Sequence, residues 1–288
     1  MTSTTQHQNR PLESSAPRPA VIPAVELVGV GKSFVTKRSK GLRRAPLRSK
    51  VALAELSLTV ESGGVIGVIG VNGSGKSTLI RILSTLLTPD TGHARVFGHD
   101  VVTEIEHVRR LINRVSVEAS FFKELSPWEN LSFSARLYAV AEDLRARVEQ
   151  LCSELNLAKD VLDRPLKQLS RGQQQKVAII RSLLSKPSLL LMDEPTTGLD
   201  PHSKRDVQRI VRSLHATGEV TVVLCTHDLA EAEALCDRIL ILHNGALLTD
   251  TTPQELRERY GGVSLEDAFL LLTGTDINED TEDWEEGS

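Results

Sequence analysis

The sequence predicts an α/β fold: a parallel sheet covered by helices on both faces, with an antiparallel β subdomain and an inserted helical subdomain. Three observations predict it. The apolar run Val65-Ile66-Gly67-Val68-Ile69 reads as a buried parallel strand and leads through a glycine-rich loop into residues at helical spacing. Elsewhere strands of buried character alternate with amphipathic helices, the pattern of a doubly covered sheet. Between Glu104 and Leu166 the chain instead reads as helical with few strand signals, which marks the insert.

Taken in order, residues 1–24 are expected to be a disordered tail. The stretch Met1 to Pro23 is rich in Ser, Thr, Gln and Pro, lacks an apolar core, and reads as neither signal peptide nor anchor. Val25-Glu26-Leu27-Val28 is the first strand, and Val51 to Val60 alternates apolar and polar residues as a second. Between them Lys37 to Lys50 carries seven basic residues and no acidic one. A solvated loop is the plain reading, and contact with acidic lipid headgroups or an acidic partner the sharper one. After the glycine loop, Leu79, Ile80, Ile82, Leu83, Leu86 and Leu87 recur at helical spacing.

Further helix starts are marked by capping residues. Ser126-Pro127-Trp128-Glu129 and Thr252-Pro253-Gln254-Glu255 combine a hydroxyl cap, a first-position Pro and a capping-box Glu. Asp200-Pro201 opens another helix that Gly218 can end, and Ser264 opens the last. Asn244-Gly245 joins Ile239–Leu242 to Ala246–Leu248 as a hairpin. Residues 275–288 hold seven acidic residues and no basic one and read as an acidic tail. The predicted folded domain is therefore 25–274, with the helical subdomain at about 104–166.

Composition narrows the function classes. A formal net charge of −4 argues against bulk nucleic-acid binding. Cys152, Cys225 and Cys236 show no metal spacing and read as buried thiols. The longest uncharged apolar runs are of strand length, well short of the roughly 18–20 residues of a membrane span. A membrane role would come through a partner.

The glycine loop carries the chemistry. Gly70-Val71-Asn72-Gly73-Ser74-Gly75-Lys76-Ser77-Thr78 fits G-x-x-x-x-G-K-[ST] between a strand and a helix. Glycines let backbone N–H groups turn onto phosphate oxygens, and the helix aims its positive end at the same anion. Lys76 adds a cation for the β- and γ-phosphates, and the Ser77 hydroxyl a ligand for Mg²⁺. A second apolar strand, Ser188 to Met192, ends in Asp193-Glu194; the first carboxylate suits Mg²⁺ and the second suits a general base. Upstream lies Leu169-Ser170-Arg171-Gly172-Gln173-Gln174-Gln175-Lys176, where Ser170 caps a helix whose free N–H groups form a second anion site. Downstream come Thr197-Gly198-Leu199-Asp200 and Thr226-His227-Asp228.

These motifs together resemble the ABC-type ATPases, the nucleotide-binding subunits of ATP-binding cassette transporters, over roughly Val25 to Gly274. The resemblance implies ATP and Mg²⁺ as cofactors, bound between two cassettes closed head to tail. It implies that Gly70 to Thr78 cradle the phosphates and that Phe34 stacks on adenine. Ser77 and Asp193 would serve Mg²⁺, Glu194 would be the general base, and His227 would touch the γ-phosphate. Ser170, Gly172 and Gln173 would grip the partner's ATP, and Asp200 would link the two sites while also capping its helix. The implied partners are an integral membrane permease and a second copy of the chain or a paralogous cassette, at the cytoplasmic face of the cell membrane.

Two positions depart from the family pattern. The loop entering the helical subdomain usually carries a Gln; here Val115-Ser116-Val117-Glu118-Ala119-Ser120 offers Glu118 as the nearest metal candidate. Arg171 stands where the family most often has Gly, placing a fork-shaped cation beside a phosphate site. The segment Ser264 to Gly274 is similar to the closing segment of small two-component exporters, which favours export. Two other readings stand beside it. One is a soluble ABC-type ATPase acting on ribosomes, nucleic acid or cofactor assembly. The other is a nucleotide sensor that does not hydrolyse.

Overall fold

The structure is a computed structural model and describes residues 22–35, 49–116, 121–138, 140, 143–274 and 277. Most of the expected N-terminal tail, the basic loop as far as Arg48, Glu118 and nearly all of the acidic tail lie outside these residues.

Two sheets form the frame. The first is antiparallel and four-stranded, in the order β2 (Ser49–Val60), β1 (Val25–Val35), β4 (Thr91–Val96), β5 (His99–Asp100). The second is six-stranded, in the order β10 (Ala246–Thr251), β9 (Arg238–His243), β3 (Val65–Ile69), β8 (Thr221–Thr226), β7 (Leu189–Asp193), β6 (Ile112–Val115). Its strands run parallel except β10, which returns antiparallel from the Asn244-Gly245 turn. Both turn residues have positive φ, 49° and 79°, as that tight hairpin requires.

Period-2 alternation explains why the inner strands of the second sheet are apolar throughout. Val65 and Ile69, Leu190 and Met192, Val222 and Leu224, Ile239 and Ile241 face one core. Ile66 and Val68, Leu189 and Leu191, Val223 and Cys225, Leu240 and Leu242 face the other. The first core is closed by α3 (Pro127–Leu137), α4 (Leu144–Glu154), α5 (Arg171–Leu183), α6 (Pro201–Thr217), α7 (Leu229–Leu235), α8 (Pro253–Arg259) and α9 (Leu265–Thr273). The second is closed by the antiparallel sheet with α1 (Lys76–Leu83) and α2 (Ile105–Leu111). All three cysteines are buried in these cores, and burial pushes the Cys152 thiol up to about 11.

Three local expectations shift. The stretch beginning at Glu104 is not helical throughout: Ile112–Val115 is a strand that pairs in parallel with β7 and completes the sheet. Its Ile112 and Val115 are buried on opposite core faces, which pulls this segment out of the helical insert. The insert's helices start instead at α3. The first helix ends at Leu83, short of Leu86, because the Ser84 hydroxyl bonds back to the Ile80 carbonyl and Thr85 turns left-handed at φ 59°. Leu86 is consequently 57% exposed. The first strand runs on to Val35 through irregular register at Gly29 and Gly31, with the Gly29 N–H donating to Ser57 Oγ.

Candidate functional site

Sheet order and register assemble the site. Strands β3, β8 and β7 are consecutive neighbours, Ile69 is level with Thr226, and Cys225 is level with Asp193. The residues just beyond these strand ends, Gly70, His227 and Glu194, therefore emerge side by side at the carboxyl edge of the sheet, where open α/β folds place their ligands.

The glycine loop wraps the start of α1. Gly73 and Gly75 take φ of 76° and 111°, and a Cβ on Gly75 would lie 2.5 Å from the Ala52 carbonyl oxygen. The loop is braced from the hairpin turn, where the Gly245 N–H donates to the Ser74 carbonyl and the Gly245 carbonyl accepts from Ala54 N–H. Lys76 is 6% exposed, and its Nζ donates to the Gly70 and Val71 carbonyls. Burial holds its pKa below the ordinary value against the pull of the Glu194 carboxylate. The Ser74 hydroxyl is buried without a hydrogen-bond partner among the described residues.

Around Lys76 the carboxylates converge. Ser77 Oγ lies 3.3 Å from Asp193 Oδ1, joining the two residues expected at Mg²⁺. Burial raises the Asp193 pKa, opposed by the Arg114 charge and the Ser77 bond. Glu194 Oε1 is 4.0 Å from Lys76 Nζ, and Glu194 Oε2 is 2.8 Å from His227 Nδ1. The Thr197 hydroxyl donates to that same Oε2 at 2.8 Å. Glu194 reaches this position through a left-handed backbone, φ 50°, held by its N–H on the Cys225 carbonyl. A non-glycine residue so held at a strand end is a strained placement of the kind found at functional sites.

Asn72 and Gly73 are exposed on the loop and Thr78 is half-buried in α1. Phe34 is 38% exposed at the end of β1, level with Lys50 and one position from Ser33, which faces Val51 beside the loop-contacting Ala52. The Lys32 ammonium lies 5.9 Å from the centre of its ring.

A second group gathers at the start of α5. Ser170 and Gln173 form a reciprocal capping box, each side chain bonded to the other's backbone N–H. Gly172 is buried against α6: a Cβ there would lie 2.1 Å from Ser203 Oγ and 3.1 Å from Asp200 Oδ2. Asp200 caps α6 through the N–H groups of His202 and Ser203. The Arg171 guanidinium lies over Gly198, where a Cβ would meet Nη1 at 2.6 Å. The Thr197-Gly198 segment thus touches Glu194 at one end and the α5 cap at the other.

Arg114, Thr197 and Thr196 did not emerge from the sequence as site residues. Arg114 sits on β6, in the stretch that reads as helical, and no local signal placed it beside Asp193. The two threonines follow Asp193-Glu194 after Pro195, and a hydroxyl pair so near a general-base candidate was the signal available.

The parts needed for a nucleoside triphosphate are present. They are a loop that has no room for a Cβ at Gly70 or Gly75, a buried hydroxyl inside it with no partner among the described residues, a buried ammonium, and a hydroxyl–carboxylate pair suited to Mg²⁺. Known proteins agree with this arrangement. The family described as ABC transporter matches residues 53–197. The daunorubicin resistance ATP-binding protein DrrA3 of Streptomyces coeruleorubidus is 40% identical over 244 residues, covering 80% of this chain and 77% of that protein. The Nod factor export ATP-binding protein I of Rhizobium sp. (strain N33) is 34% identical over 246 residues, covering 85% of this chain and 76% of that protein. A solved ATP-binding subunit of an ABC transporter superimposes with a TM-score of 0.72 at 29% identity, covering 86% of this chain and 99% of that one.

Proposed function

The chain belongs to the ABC transporter family of ATP-binding proteins, and from that membership we propose that it hydrolyses ATP to drive export through a separate membrane subunit. The observation that carries the hydrolytic reading is the triangle of Lys76, Glu194 and His227 beside the Ser77–Asp193 pair. Gly70 to Thr78 would hold the phosphates, and Ser77 with Asp193 would hold Mg²⁺, which supplies charge neutralisation at the transferred phosphoryl group. Glu194 would accept a proton from an attacking water, and His227 would orient that carboxylate and contact the γ-phosphate; their contact at 2.8 Å supports the pairing. Lys76 would leave its loop carbonyls for phosphate oxygens. Phe34 would stack on adenine.

Ser170, Gly172 and Gln173 would take the ATP of a second copy or a paralogous cassette, with Asp200 near the shared interface. The missing Cβ of Gly172 lets the start of α5 sit against Ser203 and Asp200, which supports grouping Asp200 with this motif. Export is supported by the relative described as a Nod factor export protein.

A groove of about 360 Å³ supports the membrane partner. It is lined by Leu86, Phe122, Phe133, Leu137 and Tyr138, which are 45–70% exposed, together with Arg114. An apolar patch of this kind, rimmed by polar groups, suits a docking protein segment. Arg114 lines the groove and also acts electrostatically on Asp193, so docking and the metal pair share a residue. No helix of the described residues is long and apolar enough to cross a membrane. The chain would then work at the cytoplasmic face, held by its permease.

The test is a pull-down of Glu194→Gln protein from detergent-solubilised native membranes with ATP and Mg²⁺. A multi-span membrane protein captured in equal amount is the expected result. Ribosomal, nucleic-acid or purely soluble partners would overturn the transport reading.

A further inference from the structure

Glu231 is a buried carboxyl that the mechanism above does not use. It lies in α7, four residues beyond His227, and is 1% exposed. Its Oε2 accepts the Thr196 hydroxyl and the Thr226 hydroxyl, each at 3.0 Å. Thr196 precedes Thr197, which donates to Glu194 Oε2, and Thr226 precedes His227, whose Nδ1 faces that same Glu194 oxygen. One oxygen thus ties together the two segments that carry the Glu194–His227 pair.

We propose that Glu231 is a positioning residue for hydrolysis: it fixes the spacing of the Thr196–Thr197 and Thr226–His227 segments, so that Glu194 and His227 stay in hydrogen-bonding register. The proposal rests on the reading of Glu194 as general base.

The helix itself does not need this side chain, because Asp228 already caps α7 by accepting the Glu231 N–H at 2.8 Å. The core does not favour it either. Oε1 is buried with no partner among the described residues, an arrangement that costs stability and that an apolar residue would avoid. An apolar residue could not, however, hold two hydroxyls from two separate loops at one point. Thr226 also accepts the Asp228 N–H at 3.0 Å, which extends the clamp into the cap of α7. Glu231 reaches the reacting groups only through these threonines, so its effect is expected on turnover rather than on nucleotide binding.

The experiment compares the full-length wild-type chain with Glu231→Ala, Glu231→Gln, the near-isosteric Thr196→Val, and Thr196→Ser. Phosphate release is followed against Mg²⁺–ATP concentration, and hydrogen exchange against time at 194–198 and 226–228. Glu231→Ala and Thr196→Val should each lower kcat at least about tenfold, the scale of a slightly misplaced catalytic group, with KM within about twofold. Glu231→Gln keeps an oxygen for both hydroxyls, and Thr196→Ser keeps the donor, so both should remain within about threefold of wild type. Exchange should rise in both segments together in Glu231→Ala and stay at the wild-type level in Glu231→Gln.

Wild-type kcat in Glu231→Ala, a loss in Glu231→Gln as large as that in Glu231→Ala, or faster exchange confined to α7 would overturn the proposal. A wild-type chain that binds ATP and releases no phosphate would instead sink the hydrolytic reading. In that event the exchange pattern alone would still decide whether Glu231 clamps the two segments.

Discussion

At the scale of single residues, the site is a set of groups whose neighbours tune them. Glu194 is presented by a left-handed backbone and held between Lys76, Thr197 and His227. Replacing it by Gln keeps the shape and removes the base, so phosphate release should fall by roughly two to four decades while ATP binding is retained. Turnover and nucleotide-binding assays on one preparation check this, and an unchanged rate would remove Glu194 from the chemistry. Glu231 yields a pH-dependent prediction. Burial raises its pKa in the folded chain, helped by Asp228 and opposed by the Thr196 and Thr226 bonds and by Lys204. A carboxyl whose folded pKa is raised is neutral in effect below the unfolded pKa of about 4.3, destabilises increasingly as pH rises from there towards the folded value, and does so fully above it. Glu231→Gln should therefore gain stability over wild type at pH 8 and lose that advantage as pH falls towards 4, measured by urea unfolding at both pH values.

At the scale of elements, α5 links the insert to the sheet and carries the second group of site residues. Its Lys176 Nζ lies 2.6 Å from Asp206 Oδ2 of α6, with both side chains only 9% exposed, and Asn156 beyond α4 donates to the other Asp206 oxygen. Removing one partner of such a pair leaves a buried charge, so Lys176→Ala should cost about 3 kcal/mol in unfolding free energy. Arg209 also reaches Asp206 Oδ1, which keeps the expected loss at the lower end for a buried pair. Denaturant midpoints read this directly. The start of α5 is a smaller contribution: Ser170→Ala removes the hydroxyl arm of the capping box and should cost about 1 kcal/mol.

At the scale of the whole molecule, two cores share one sheet, and the groove proposed for docking includes Arg114, which also acts electrostatically on Asp193. Phe133 is 54% exposed and packs edge-on against Phe122, with ring centres 5.6 Å apart. Phe133→Asp should leave the melting temperature and ATP binding as in wild type and abolish capture of the membrane partner. Co-purification from membranes, run beside a thermal melt, checks it. Retained capture would move the docking surface elsewhere.

Much of this was legible in the residues themselves. The glycine loop, the strand ending in Asp193-Glu194, the capped starts of α3, α5, α6, α8 and α9, and the Asn-Gly hairpin are local patterns, set by backbone sterics and neighbouring hydrogen bonds. By itself the sequence determined the fold class, the loop that suits phosphate and the residue types beside it. The tertiary structure decided what no local pattern encodes. It turned Ile112–Val115 into the last strand of the sheet, because that segment gains β7 as a partner and a core on each face. It brought Arg114 to Asp193, and Thr196 and Thr226 to one oxygen of Glu231. The physical reason is register: which strands are neighbours, and which of their ends are level, depends on packing across the whole sheet, and only then do distant side chains meet.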